Sequence, residues 1–409
     1  MSTKIKTFVL CCSTLVLTAC PQPHAVPPPS FPPSWETLIR KGDIEQEYWR
    51  YPEAEYYYSQ AVTRAQEFGA DDARLARSLR SLSSVVSSRG NYAAAKQYGE
   101  QALGIYRHLF GPESGEVGMT EYILGSIAAE HGSFSEAKQL YMQSQRHIAA
   151  AYGPEDPRLG QPMIDLAGLY LMTNRMIEAE NLLRQVITLS DKPENRDPSR
   201  LSLALRHLGA LLLTQKRLDE AEPILKRSYE TAQKELGDNH PQTAASLSTW
   251  AALHFAREHP EKAEPLYSQV IHIVERSAGK SHRELAVALT NHAKALFAMK
   301  QFAHTEQQLR RAVAIYERQT GPSSIELANT LLSLAVVIGK QRLSDAEPLF
   351  KRGLTITESA YGPDHPALAK ALGLYAEFLR DQDRNAEADV LAERAESIRT
   401  RNMPERPTS

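Results

Sequence analysis

A glycine recurs along this chain at positions 69, 111, 153, 237, 279, 321 and 362, with Asn195 standing in the one missing place. The interval is 42 residues throughout, shortened to 41 at the last step. A fixed period in this range means a chain assembled from stacked units, each one supersecondary element that buries its apolar face only against its neighbours. The period also removes a difficulty of size. At 409 residues the chain exceeds the ~250–300 at which a single core stops growing, and a stacked array has no such ceiling.

Each unit reads as two antiparallel helices. Glycine closes one unit's second helix, where a residue with positive φ is wanted. Pro157, Pro198, Pro241 and Pro366 then open the next helix, where a missing N–H does no harm. Asp156 and Asp197, before two of those prolines, suit the N-cap position. Second helices are expected to begin near Asp219-x-x-Glu222 or Ser344-x-x-Glu347, both written like capping boxes. Thirteen residues after each turn lie Leu82, Leu124, Leu166, Leu208, Trp250, His292, Leu334 and Tyr375. The next position is small in every unit: Ser83, Gly125, Ala167, Gly209, Ala251, Ala293, Ala335 and Ala376. A second small row follows at 26, with Ala95, Ala137, Ala179, Ala221, Ala263, Thr305 and Ala388, and with Ala346 one place early. Small residues at two fixed places let paired helices approach closely, while the large positions fill the space between units.

This large–small–aromatic pattern resembles the tetratricopeptide repeat over about residues 70–400. The 42-residue spacing, the turn Gly237-Asp238-Asn239-His240-Pro241 and the opening Ala263-Glu264-Pro265-Leu266-Tyr267 are similar to the kinesin-light-chain variety. Asn195, for a turn glycine, and Thr305, for a close-packing alanine, depart from that pattern. The expected fold is an all-α, right-handed α-solenoid of about nine helix-turn-helix units. They fall near 35–69, 70–111, 112–153, 154–195, 196–237, 238–279, 280–321, 322–362 and 363–400, with 401–409 as a flexible tail. The Tyr-rich first unit (Tyr56-Tyr57-Tyr58) and the charged last helix (Arg384 to Arg399) are the expected end caps.

The amino terminus reads as an address. Lys4 and Lys6 precede an apolar run, Phe8 to Leu17, too short to span a bilayer. Leu17-Thr18-Ala19-Cys20 resembles the bacterial lipobox, which implies removal of residues 1–19 and lipidation of Cys20. An ordinary secretory signal containing a cysteine is the other reading. Residues 20–34 then form a Pro-rich tether, with seven prolines between Pro21 and Ser34. As polyproline II, rising ~3.1 Å per residue, this stretch reaches roughly 40 Å. Because the residue after Cys20 is Pro21 rather than an aspartate, the resemblance implies the outer membrane, facing the periplasm.

Function classes narrow by exclusion. Lys plus Arg is 47 against 49 for Asp plus Glu, so no basic excess points to nucleic acid. The three cysteines (Cys11, Cys12 and Cys20) all precede residue 21, which removes thiol catalysis, disulfides and cysteine metal sites from the repeats. His240, His282 and His365 occupy one turn position in three units, roughly 10 Å or more apart per helix step. That is too far for a shared ion bound at ~2 Å, so they read as turn residues. No nucleophile elbow, phosphate loop or zinc-binding helix motif is present. The chain is expected to be no enzyme, to need no cofactor or metal, and to bind one or more envelope proteins of unknown identity.

The resemblance implies that a partner docks on the concave face formed by the first helices. One inward row, eighteen residues past the turn, holds Ser87, Ala129, Leu171, Leu213, Phe255 and Phe297. Leu171, Leu213, Phe255 and Phe297 in register form either an apolar stripe for a docked peptide or packing against the neighbouring helix. Arg77, Arg80 and Arg206 lie on adjacent inward rows and are either bidentate donors for a carboxylate or solvated charges. An alternative class is a small-molecule or glycan receptor, with Phe255 and Phe297 as stacking surfaces.

Overall fold

The structure is a computed structural model describing residues 33–319, 321, 323–341 and 345–402. Cys20, the signal and most of the tether lie outside these residues, as do Ser344 and residues 403–409. The described residues form eighteen α-helices in nine consecutive pairs and no strand. The first four pairs are α1 (Trp35–Glu47) with α2 (Tyr51–Gln66), α3 (Ala73–Ser88) with α4 (Tyr92–Phe110), α5 (Gly115–Glu130) with α6 (Phe134–Tyr152), and α7 (Gly160–Met172) with α8 (Met176–Asp191). Next come α9 (Pro198–Thr214) with α10 (Leu218–Leu236), α11 (Pro241–Ala256) with α12 (Pro260–Ser277), and α13 (Arg283–Ala298) with α14 (Phe302–Gln319). The last pairs are α15 (Ile325–Gln341) with α16 (Glu347–Tyr361), and α17 (Pro366–Arg380) with α18 (Asn385–Arg401). Among the described residues no helix is long and apolar enough to cross a membrane.

The turn chemistry accounts for the period. All seven turn glycines have positive φ, from 79° at Gly321 to 116° at Gly69. Three residues on, a side chain caps the next helix: Asp72, Ser114, Asp156, His240, His282, Ser324 and His365 each accept from a backbone N–H. At Asn195 this arrangement is lost. The chain there makes a short 3-10 turn, Pro193–Asn195, and Asp197 takes the capping role by accepting from Arg200 N at 2.9 Å. The Asp219–Glu222 capping box does not form. Helix α10 has Arg217 as its N-cap residue, without a side-chain cap, and Asp219 and Glu222 instead pair with Arg257 of the next unit at 2.8 and 2.6 Å.

Both small rows are buried where helices meet. Ser83 Oγ donates to Ala95 O at 2.6 Å, a contact possible only because neither position carries bulk. Thr305 fits its alanine site because its hydroxyl donates to Gln301 O in its own helix. Two polar members of the large row find partners, while Trp250 Nε1 and His292 Nδ1 are buried without one. His292 Nε2 lies 2.9 Å from Glu264 Oε1, and Tyr375 Oη donates to Glu347 Oε1 at 2.8 Å. The first unit is a complete helix pair, with Tyr58 buried against Gly42 and its hydroxyl donating to Asp43 at 2.8 Å. Along the outside, Arg227–Asp191, Arg311–Glu275 and Arg352–Glu317 join successive second helices at 2.5, 2.5 and 2.7 Å. Exposed pairs add little stability each, and their repetition keeps neighbouring units in register.

Candidate functional site

First helices line the inside of the array, and they carry its unusual polar groups. A cavity of about 430 Å3 opens among α3, α5, α7 and α9. Its wall includes Ser84, Ser88, Tyr122, Ser126, Glu130, Asp165 and His207. A second recess of about 240 Å3 shares Tyr122 and Ile123 with it and is lined by Arg80, Arg158 and Arg200. The surface is therefore split by charge, with carboxylates at one end and guanidiniums at the other.

The acidic end is enclosed. Asp165 accepts from Tyr122 Oη at 2.8 Å and from Gln161 Nε2 at 3.2 Å. Burial nevertheless pushes its carboxyl up to about 6, because hydrogen bonds replace only part of the lost hydration. Glu130 is also raised by burial, partly offset by a hydrogen bond from Ser87. His207 is driven down to about 3 by burial and by Arg206 beside it, so the ring is neutral. Its Nε2 accepts from Arg206 at 3.2 Å.

The arginine recess contains donors that the fold does not use. Arg80 Nη1 and Arg200 Nε are buried without a hydrogen-bond partner. Arg80 lies 5.4 Å from the Tyr106 ring and Arg158 3.7 Å from that of Tyr152. Arg200, tied to Asp197 at 2.8 Å, lies across Gly160, where a Cβ would sit 2.1 Å from its Cδ. A buried guanidinium N–H without an acceptor is costly, on the order of 1–3 kcal/mol, and an anionic ligand would relieve it.

The residues expected from the sequence divide. Arg80 lines the recess, while Arg77 lies over Trp35 and 3.7 Å from Asp43. Arg206 is interior but turned to His207, with its charge disfavoured by burial. In the apolar row, Ser87 and Ala129 line the main cavity. Leu171 and Leu213 are half-buried against the core between units, and Phe297 packs on Phe302 at 5.6 Å. Phe255 is 36% exposed. Neither phenylalanine lines the two interior cavities. The residues not foreseen, Tyr122, Ser126, Glu130, Asp165 and His207, sit mostly twelve, fifteen and nineteen places past the turn. Their signal was a titratable or hydroxyl side chain inside an otherwise apolar first helix.

A larger cavity, about 640 Å3, lies on the outer side among α4, α5 and α6 and is bridged by Lys96 and Glu136 at 3.1 Å. It has no buried unpartnered polar atom, so the interior surface is the better candidate. Among the described residues no three His, Cys, Asp or Glu side chains are grouped to hold a metal ion.

A tetratricopeptide repeat profile matches residues 36–108, 116–192, 200–276, 284–359 and 326–401. No curated protein matches the sequence. Among solved structures, a Rap protein complexed with Competence and Sporulation Factor is 13% identical, with 90% of this chain and 96% of that one covered at a TM-score of 0.59. Aspartyl phosphate phosphatase F from Bacillus subtilis is 13% identical, with 90% and 94% covered at 0.55. Repeats of a putative kinesin light chain from Podosopora anserina are 22% identical, with 50% and 97% covered at 0.39. At 13% identity the likeness to the first two is one of fold.

Proposed function

Because this chain belongs to the tetratricopeptide repeat family, whose arrays are scaffolds for protein–protein contact, we propose that it is an adaptor that takes a partner segment on its interior surface. The observation that carries this is the recess of Arg80, Arg158 and Arg200, with two buried donors the fold leaves unpaired. A carboxylate there would satisfy them, and the floor of Met119, Ile148 and Pro162 suits an apolar side chain beside it. The enclosed carboxylates of Glu130 and Asp165 suit a hydroxyl or basic group further along the same segment.

The lipobox-like Leu17-Thr18-Ala19-Cys20 supports a bacterial lipoprotein of the outer membrane, facing the periplasm. The work would then be to hold components of an envelope assembly beside the membrane. Lipid at Cys20 would supply the retention, and Cys20→Ser should release the protein from membranes.

The binding test is a phage-displayed peptide library panned on the purified protein. Charged hydrogen bonds are worth about 1.5–3 kcal/mol, so Arg80→Ala or Arg200→Ala should weaken a selected peptide roughly 10- to 100-fold. Lys96→Ala, on the outer face, should leave it unchanged. Equal binding by all three variants would remove the interior reading.

A further inference from the structure

The turn between α1 and α2 touches a part of the chain some two hundred residues away. Arg50 Nε donates to Ser277 O at 3.3 Å across 227 residues, and Glu47 Oε1 lies 3.2 Å from His240 Nε2 across 193. Every other side-chain hydrogen bond described spans 44 residues or fewer. Three rings complete the contact. Tyr48 meets His240 edge-on at 5.5 Å, Trp49 stacks on His282 at 5.8 Å and 14°, and Tyr51 lies 6.2 Å from His282. The array has therefore wound through one turn and met itself.

The two histidines are fixed for this contact by their capping role. Nδ1 of His240 accepts from Gln242 N at 3.1 Å, and Nδ1 of His282 accepts from Glu284 N at 3.2 Å. An Nδ1 that accepts leaves the proton of a neutral ring on Nε2. For His240 that N–H points at Glu47, and the His282 ring is covered by the Trp49 indole. His365 caps α17 in the same way, but its ring stacks on Tyr361, at the end of the helix just before it, at 4.2 Å. Capping alone thus does not require a partner from the first unit.

Trp49 is also placed where its residue type is disfavoured. Its φ is 61°, the left-handed conformation found at the same turn in Gly90, Gly132, Asn174, Lys216, Glu258, Lys300 and Asp383. A bulky aromatic there is an outlier that neighbouring contacts must hold. Beyond it, Tyr51 reaches the interior, where burial and then Glu284 and Glu130 push its hydroxyl up to about 12.

We propose that the Tyr48–Arg50 turn is a clasp that closes the first turn of the array onto the units beginning at His240 and His282, and that it controls access to the interior surface. The closure stands without the binding role proposed above, and only its use as a gate for a partner rests on that role.

The test compares the full-length protein with Trp49→Gly and His282→Asn. Glycine keeps the left-handed turn while removing the ring, and asparagine keeps the helix cap while removing the stack. Hydrogen exchange read by mass spectrometry should rise at least tenfold at residues 279–285 in both variants, with α5 to α8 unchanged. Access is read without any partner, as the maleimide labelling rate at position 126 in Ser126→Cys. That rate should rise several-fold when Trp49→Gly is added. Unchanged exchange at 279–285 in Trp49→Gly would overturn the clasp. Faster exchange with an unchanged labelling rate would overturn the gate and keep the closure.

Discussion

Two glycine-to-alanine substitutions, one place apart within the repeat, should move stability in opposite directions. Gly209 and Gly168 both lie inside first helices, α9 and α7, where alanine gains about 0.8–1.0 kcal/mol in helix propensity. A Cβ at Gly209 would sit 2.2 Å from Leu225 Cδ2 and 2.4 Å from its Cγ. Carbon contacts are optimal near ~3.5–4.0 Å, and Leu225 is fully buried, so α9 and α10 must separate. Overpacking of this kind costs about 1–3 kcal/mol, which at least cancels the propensity gain and leaves a net loss of up to roughly 2 kcal/mol by the same bounds. At Gly168 nothing lies within 4 Å of the added carbon, so the gain stands at about 0.5–1 kcal/mol. A repeat array has no single two-state midpoint, and the assay should be local. Native-state hydrogen exchange should show less protection in α9 and α10 for Gly209→Ala, and more in α7 and α8 for Gly168→Ala. Equal protection in the two variants would refute the close-approach explanation of the small row.

Two further outcomes follow from single sites. Asp165 titrates near 6 in the fold against ~3.9 unfolded, so the native state holds the extra proton between those values. Wild-type stability should therefore fall as pH rises from about 4 to 6. Asp165→Asn should stabilise its own region by about 1–3 kcal/mol relative to wild type above pH 6, with the advantage gone below pH 4, read as native-state hydrogen exchange in α5 and α7 at matched pH. A constant difference would show that the carboxyl is not raised. Phe350 is fully buried between Tyr375 at 5.3 Å and Phe378 at 5.1 Å. Phe350→Ala should cost about 3–5 kcal/mol, read as fast exchange in α15 to α18 while α5 to α10 keep theirs.

Much of the architecture was legible because it depends on residues that act locally. Turn glycines, prolines at helix starts and two small rows each have one physical use, and the period places them in every unit. The capping histidines were legible as turn residues for the same reason. The capping box at Asp219 was misread because two acids three apart also serve a salt bridge to Arg257, one unit away. The interior was harder to read. Whether the row containing Leu171 and Phe297 faces the inside or the neighbouring helix depends on how far each helix is rotated, and one residue changes that by about 100°. Asp165 and His207 were hidden for a different reason. Their environment comes from neighbouring units, and a single unit's sequence does not show what the next one places opposite. The contact of Trp49 with His282 lay furthest from sequence reasoning, since it depends on the summed rotation of several units.

The proposed adaptor meets its partner on the inside of the array rather than on its outer face. The most direct measurement places a photo-crosslinking amino acid either at position 126, within the interior cavity, or at position 96, beside the outer one. Each protein is irradiated with a peptide selected from the displayed library, and the adducts are mapped by mass spectrometry. Interior docking gives an adduct from position 126 that disappears in Arg80→Ala, and none from position 96. An adduct from position 96 alone would contradict it and move the docking surface to the outer groove between α4 and α6.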